Sequence, residues 1–302
     1  MTKVVFLLVP RLHILDLAGP AQVFSTAADL GCHYEMSYVA EQEDVTSAQG
    51  VPLRVDTSWP ALSSGDLVVV PGWRSPTLSP RAPFGEPTAA RLQAHHAAGG
   101  TVVSICSGAH ALGAAGLLDG HRCTTHHDLQ EELARRYPRA DVVRDVLYVV
   151  DRRVVTSAGI ASGIDLALHL VATARGPAIA ARVARSMVVY ARRNGADPQE
   201  SAMLRHRAHL SDVTHQVQDV IDARYSDRLP LAELARTVGV SPRTLTRVFA
   251  GATGGLTPLR YQQELRIERA EHLIGHGDTI DAAARAVGFE DARMLRRLRA
   301  RA

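Results

Sequence analysis

LAELARTVGV at residues 231–240 and IDAAARAVGF at residues 280–289 are two copies of one pattern. In the first, Leu231, Leu234, Ala235 and Val238 fall at i, i+3, i+4 and i+7, a single helical stripe; 49 residues on, Ile280, Ala283, Ala284 and Val287 repeat it. Gly239-Val240 and Gly288-Phe289 follow. The Ala235–Gly239 and Ala284–Gly288 spacing is what a helix-turn-helix needs. The small residue lets the next helix pack close, and glycine takes the left-handed backbone of the turn without a Cβ penalty. Ser241 is a good N-cap and Pro242 suits a first helical turn. Leu245, Val248 and Phe249 then pin the second helix to the first. One such copy also fits an ordinary helical hairpin. Two copies, joined by a helix from Pro258 to Ile274, predict a duplicated helix-turn-helix and an all-α domain.

A helix of this kind enters the major groove with its outer face. The outward candidates are Pro242, Arg243, Thr244, Thr246 and Arg247 in the first copy, and Glu290, Asp291, Ala292, Arg293 and Arg296 in the second. A joining helix of about 17 residues spans roughly 25 Å at 1.5 Å per residue, and is expected to set the two recognition helices about one DNA turn, roughly 34 Å, apart. The partner implied is a double-stranded DNA operator. Base readout is expected mainly from the first copy. Backbone contacts are expected from Arg293, Arg296, Arg297, Arg299 and Arg301. Charge agrees: residues 205–302 carry 16 basic and 12 acidic residues, against 18 and 19 over residues 1–204. Lys3 is the only lysine, so any basic face is built of guanidinium forks, which suit phosphates and guanine edges.

Upstream the pattern changes. Val4–Val9, Tyr34–Ala40, Leu67–Val70 and Thr101–Ile105 are short apolar, strand-like runs. Between them 16–30 and Thr88–Ala98 read as helices, with Ala109–Leu118 and Gly163–Ala174 following. Val142–Val155 resembles a hairpin turning near Asp151. Strands alternating with helices predict an α/β domain with a largely parallel sheet covered on both faces. The boundaries expected are a first domain at 1–185, a linker at 186–212 and the helical domain at 213–302. Cys32, Cys106 and Cys123 cannot all pair and form no CxxC, which suits free thiols in a reducing cytosol. The apolar start is too short for a secretion signal or a membrane span, so a soluble cytoplasmic chain without membrane contact is expected.

Residues 213–302 resemble the AraC/XylS-type DNA-binding domain in LPLAELARTVGVSPRTLTRVFAGATGGLTPLRYQQELRIERAEHLI and TIDAAARAVGFEDARMLRRLRARA. The family's closing Gly…Ser-Pro…Tyr-Arg segment has no counterpart here, which implies a second helix-turn-helix docked less firmly than the first.

In the first domain, TVVSICSGAH at 101–110 runs a strand into a helix through a small-residue turn with Cys106 at its apex. This is the layout of a nucleophile elbow, and a nearby helix N-terminus favours thiolate. An inert, packed cysteine is the plain alternative. The pieces LHILDLAGPAQVF, LVVVPGW, ICSGAHALGAAGLLDGHRCTTHH and VVTSAGIASGIDLALHLV resemble the DJ-1/PfpI superfamily, a flavodoxin-like fold. Together with the C-terminal resemblance, the chain resembles the GlxA subgroup of AraC regulators over nearly its whole length. The resemblance implies a sensor pocket of Cys106, Asp16 and His126, a homodimer through this domain, and a possible small-molecule effector. Superfamily peptidases carry His right after the Cys; here it is Ser107, which argues against protease chemistry. Isonitrile hydratases of the superfamily use a Cys and an Asp, so an enzyme of hydratase or amidase type acting through Cys106 is the alternative. His110 can simply pack. His95-His96 and His126-His127 are poor metal sites, because adjacent helical residues diverge. No phosphate loop, zinc-finger spacing or paired catalytic carboxylates are present, so neither a cofactor nor a metal is expected.

Overall fold

The computed structural model describes every residue except Pro76, Pro80, Ala191, Arg192, His276, Arg301 and Ala302. The chain divides into two compact units, Met1–Gln199 and Glu200–Ala302.

The first unit is α/β. Alternation along β1 (Thr2–Leu7) sets its layers: Val4 and Phe6 face one core, Val5 and Leu7 the other. The chain continues through α1 (Ile14–Asp29), β2 (Tyr34–Val39), the small hairpin β3 (Asp44–Thr46) and β4 (Pro52–Arg54), β5 (Leu67–Val70), α2 (Glu86–Ala97), β6 (Thr101–Ile105) and α3 (Gly108–Ala114). It then runs through β7 (Arg122–Cys123), α4 (Gln130–Arg136), β8 (Asp141–Val142), β9 (Tyr148–Asp151), β10 (Val154–Ser157), α5 (Ser162–Arg175) and α6 (Pro177–Ser186). The main sheet has the order β2-β1-β5-β6-β10-β9, parallel except for β9 at its edge. Two expectations change. Val142 pairs with Cys123 in a separate two-stranded sheet, so the hairpin begins at Tyr148. The helix expected over Ala109–Leu118 stops at Ala114, because Gly116 turns left-handed at φ +70°.

The expected linker is not free chain. Arg193 grips the Asp165 carboxylate through its backbone amide (3.0 Å) and its guanidinium (2.6 and 2.9 Å). The Gly195 carbonyl accepts from the Leu147 amide at 2.9 Å, and the Gln199 amide group donates to the Thr125 and Val146 carbonyls at 3.0 Å. These bonds hold the segment up to Gln199 on the first unit. The second unit starts earlier than 213, because Ala202 is buried in its core.

That unit consists of α7 (Ala202–Arg205), α8 (Asp212–Ala223), α9 (Leu231–Thr237), α10 (Pro242–Ala252), α11 (Pro258–Gly275), α12 (Ile280–Ala286) and α13 (Ala292–Arg299). It has two small cores. Val217, Ile221, Leu234, Leu245, Phe249 and Tyr261 form one; Ala283, Ala284, Val287, Phe289, Leu295 and Leu298 form the other. The helical stripes hold, except that Leu231 lies exposed at the rim.

Candidate functional site

The elbow is built by long-range contacts. Cys106 sits at φ +54°, a left-handed backbone rare for residues with a Cβ. Its amide donates to the Ser157 carbonyl at 2.9 Å, and its carbonyl accepts from the Thr125 hydroxyl at 2.8 Å. Two glycines close around it. A Cβ on Gly72 would lie 2.5 Å from Asp16 Oδ2 and 2.7 Å from Cys106 Cβ, and one on Gly159 would lie 2.3 Å from Cys106 Cβ. Ser107 latches the flanking loop, its hydroxyl accepting from the Trp73 amide at 2.8 Å and donating to the Trp73 carbonyl at 3.0 Å.

Asp16 and Cys106 therefore meet across Gly72. Asp16 is fully buried, and neither of its carboxyl oxygens has a hydrogen-bond partner among the described residues. Burial pushes its pKa up to about 7, with the Gly72 backbone acting in the opposite direction. Burial, and then the Asp16 charge, push the Cys106 thiol far up. The expected thiolate-favouring effect of the α3 N-terminus is opposed by desolvation: Cys106 is only 5% exposed. The site is a nearly closed thiol–carboxyl pair rather than an open pocket with an ionised sulfur.

His126 stands on the same loop, one residue after the Thr125 that holds the Cys106 carbonyl, and caps a short turn over His127–Leu129. His110 packs, as the plain reading has it: it is buried, 2.6 Å from the Tyr137 hydroxyl. The roles of Gly72, Gly159 and Thr125 were missed by sequence reasoning. Pro71-Gly72 has the composition of an ordinary strand-ending turn, and nothing local marks the close approach.

In the second unit the two turns match bond for bond. The Val240 amide donates to the Ala235 carbonyl at 3.0 Å and the Phe289 amide to Ala284 at 2.9 Å; Gly239 and Gly288 have φ +68° and +85°. Ser241 Oγ accepts from the Thr244 amide at 3.1 Å and Asp291 Oδ1 from the Arg293 amide at 2.7 Å, so each second helix is capped. On α10, Arg243 and Arg247 are exposed, while Thr244 and Thr246 are half-buried with hydroxyls turned to Ser241 and the Pro242 carbonyl. On α13, Arg293, Arg296, Arg297 and Arg299 are exposed. Ala292, expected to face outward, is buried instead: it falls three residues before Leu295 on the core stripe. Arg301 lies outside the described residues.

Arg266 on α11 ties the copies together. Its guanidinium donates to the carbonyls of Tyr225 (2.6 Å), Asp227 (2.8 Å), Ser226 (3.0 Å) and Gly288 (2.8 Å), and it lies over the Phe289 ring.

The DJ-1/PfpI family matches residues 2–173, which is more than half of the chain and takes in the elbow. The chain belongs to the DJ-1/PfpI family. A helix-turn-helix domain matches residues 234–302, and that domain is of the AraC type. The HTH-type transcriptional regulator CdhR of Pseudomonas aeruginosa is 28% identical over 290 residues, covering 94% of this chain and 84% of its own. An isonitrile hydratase of Pseudomonas putida is 35% identical over 170 residues, 55% of this chain and 68% of its own. The structure of an AraC family transcriptional regulator from Pseudomonas putida superposes with a TM-score of 0.53 at 25% identity, covering 62% of this chain and all of its own. Among the described residues no helix is long and apolar enough to cross a membrane.

Proposed function

We propose that the chain is a sequence-specific DNA-binding transcription regulator, with the Asp16–Cys106 pair of its first unit sensing a small molecule or an oxidant. The observation that carries the DNA role is the duplicated, capped helix-turn-helix with exposed arginines on both second helices. CdhR, similar over nearly the whole chain, is named as such a regulator. Arg243 and Arg247 read base edges, with Thr244 and Thr246 beside them. Arg293 and Arg296 bind the backbone. A homodimer through the first unit presents two DNA-binding units to repeated half-sites. Genome-wide mapping of bound sites, followed by salt-dependent gel shifts on the recovered fragments, tests this. Binding that is equal on all sequences would refute it.

The sensor role rests on a thiol held beside a carboxyl that titrates near 7. A thiol so deeply buried reacts only with small agents or after a local opening, which suits detection more than turnover. Cys106→Ser is expected to keep basal DNA binding and abolish the response to oxidant. A second reading, an isonitrile-hydrating enzyme, is favoured by the same Cys–Asp pair and by the hydratase relative. Cys106-dependent turnover of isonitriles, amides or aldehydes at about 1–10³ s⁻¹ would decide for the enzyme.

A further inference from the structure

His126, His127 and Asp128 are consecutive, yet their side chains converge. Each offers one ligand atom, and these atoms all lie within 4.8 Å of one another. The reason is a break in the backbone. His126 is extended (φ −53°, ψ 139°) and caps the turn that begins at His127, so the two rings lie on one side with centroids 4.2 Å apart. The divergence of neighbours on a continuous helix does not apply here. The Asp128 carboxylate reaches both rings, with Oδ2 3.4 Å from His126 Nδ1 and Oδ1 3.2 Å from His127 Nδ1.

We infer that His126, His127 and Asp128 form a binding site for a divalent transition-metal ion of the zinc type. Zinc binds imidazole nitrogen and carboxylate oxygen at roughly 2.0–2.2 Å, so its ligand atoms stand well under 4.8 Å apart and the present spread needs only small rotations. Two imidazoles select zinc, nickel or copper over magnesium and calcium, which prefer all-oxygen sites. Three protein ligands leave coordination positions for water or a further ligand, as open sites do. The 3.4 Å contact from the Asp128 amide to His126 Nδ1 is long for a hydrogen bond. The loop is the one that Thr125 ties to the Cys106 carbonyl, so the ion binds next to the elbow. The inference does not depend on the DNA role or on the sensor reading.

The test uses the full chain without a polyhistidine tag, titrated with zinc chloride by calorimetry and with cobalt(II) by visible absorption. The expected result is one zinc per chain at micromolar concentration, with cobalt bands of nitrogen and oxygen coordination and no thiolate-to-cobalt charge transfer. Cys106→Ser retains that site. His127→Ala and Asp128→Asn, at half-exposed and exposed positions that leave the core intact, each weaken zinc by more than the roughly 10–100-fold that loss of a supporting hydrogen bond costs a metal site. Unchanged affinity in both variants, a thiolate charge-transfer band, or no uptake at micromolar zinc would each overturn the assignment.

Discussion

Cys106 in the first unit and Gly239 and Gly288 in the second share one backbone conformation, left-handed at φ +54°, +68° and +85°. At the helix-turn-helix turns the residue is glycine, and the closing bond is local, five residues back along the chain. At the elbow the residue carries a side chain, at a cost of about 1–2 kcal/mol for the conformation. The amide and carbonyl of Cys106 are held by Ser157 and Thr125, far away in sequence, and its flanks by Gly72 and Gly159. A turn that only redirects the chain is written in its own few residues. A turn that presents a thiol needs a scaffold able to hold strain.

The two glycine turns are not equivalent, and this gives the largest effect. A Cβ on Gly288 would come within 1.9 Å of the Ser226 carbonyl oxygen, whereas one on Gly239 meets nothing within 4 Å. Gly239→Ala should cost only the conformational penalty, about 1–2 kcal/mol. Gly288→Ala must also move the 225–227 backbone and break the Arg266 bonds there, and should exceed about 4 kcal/mol, the range of severe backbone and network damage. Urea melts of the full chain, followed on the second unit's helical signal, measure both. Equal losses would mean that the close approach at Gly288 relaxes freely.

At the elbow the corresponding test is pH. Asp16 has its folded pKa raised to about 7 from 3.8, so the folded state holds a proton that the unfolded chain has released. Stability from this group is intact below about pH 4 and falls as pH rises through about 7. The loss approaches about 4 kcal/mol once Asp16 is fully ionised, at 1.36 kcal/mol per pKa unit. Asp16→Asn should flatten that decline and leave the variant more stable than the parent at pH 8. A decline of the same size in the variant would assign the slope to other groups.

These contrasts explain what could be read beforehand. The duplicated turn was legible because its signals sit within a few residues: the Ala–Gly spacing, the Ser241 cap, the i, i+3, i+4 stripe. The parallel sheet was legible from its apolar runs. The short pairs β3–β4 and β7–β8 were not, having too few residues for a period to show. Cys106 and Asp16 were placed in one site by resemblance, and their apposition through Gly72 was not legible because it depends on where β5 ends beside α1. The helix N-terminus that favours a thiolate is visible in the sequence, and the desolvation that opposes it is not. Ala292 is the outward candidate that does not hold, and the Ala292–Leu295–Leu298 spacing carries the core stripe that buries it.

The next contrast is between the two second helices. Hypothesis: α10 reads bases, since Arg243 and Arg247 are its exposed basic residues. A bidentate guanine contact is worth about 1–3 kcal/mol of discrimination. Arg243→Ala or Arg247→Ala should therefore relax specificity at one operator position, as measured by competition among single-base operator variants. Unchanged discrimination in both variants would move base readout to α13.

The smallest effect concerns α13 and salt. Hypothesis: its arginines neutralise phosphates, each adding about 0.9 to the slope of log affinity against log salt. They are not equally available. Arg299 lies 3.3 Å from the Glu271 carboxylate, Arg293 3.8 Å from Asp291 and Arg296 3.9 Å from Asp281. Arg297 contacts the Met294 sulfur and, among the described residues, no carboxylate. A guanidinium already facing a carboxylate gains less from a phosphate, because binding leaves that carboxylate unpaired beside a polyanion. Arg297→Ala should thus lower the slope by close to one phosphate. Arg299→Ala should lower it least, and Arg293→Ala and Arg296→Ala by intermediate amounts. All four should weaken binding evenly across sequences, in contrast to the α10 variants. Filter binding over a series of salt concentrations, on the operator and on unrelated DNA, resolves the order. A loss of sequence preference with the slope unchanged would reverse the roles of the two helices.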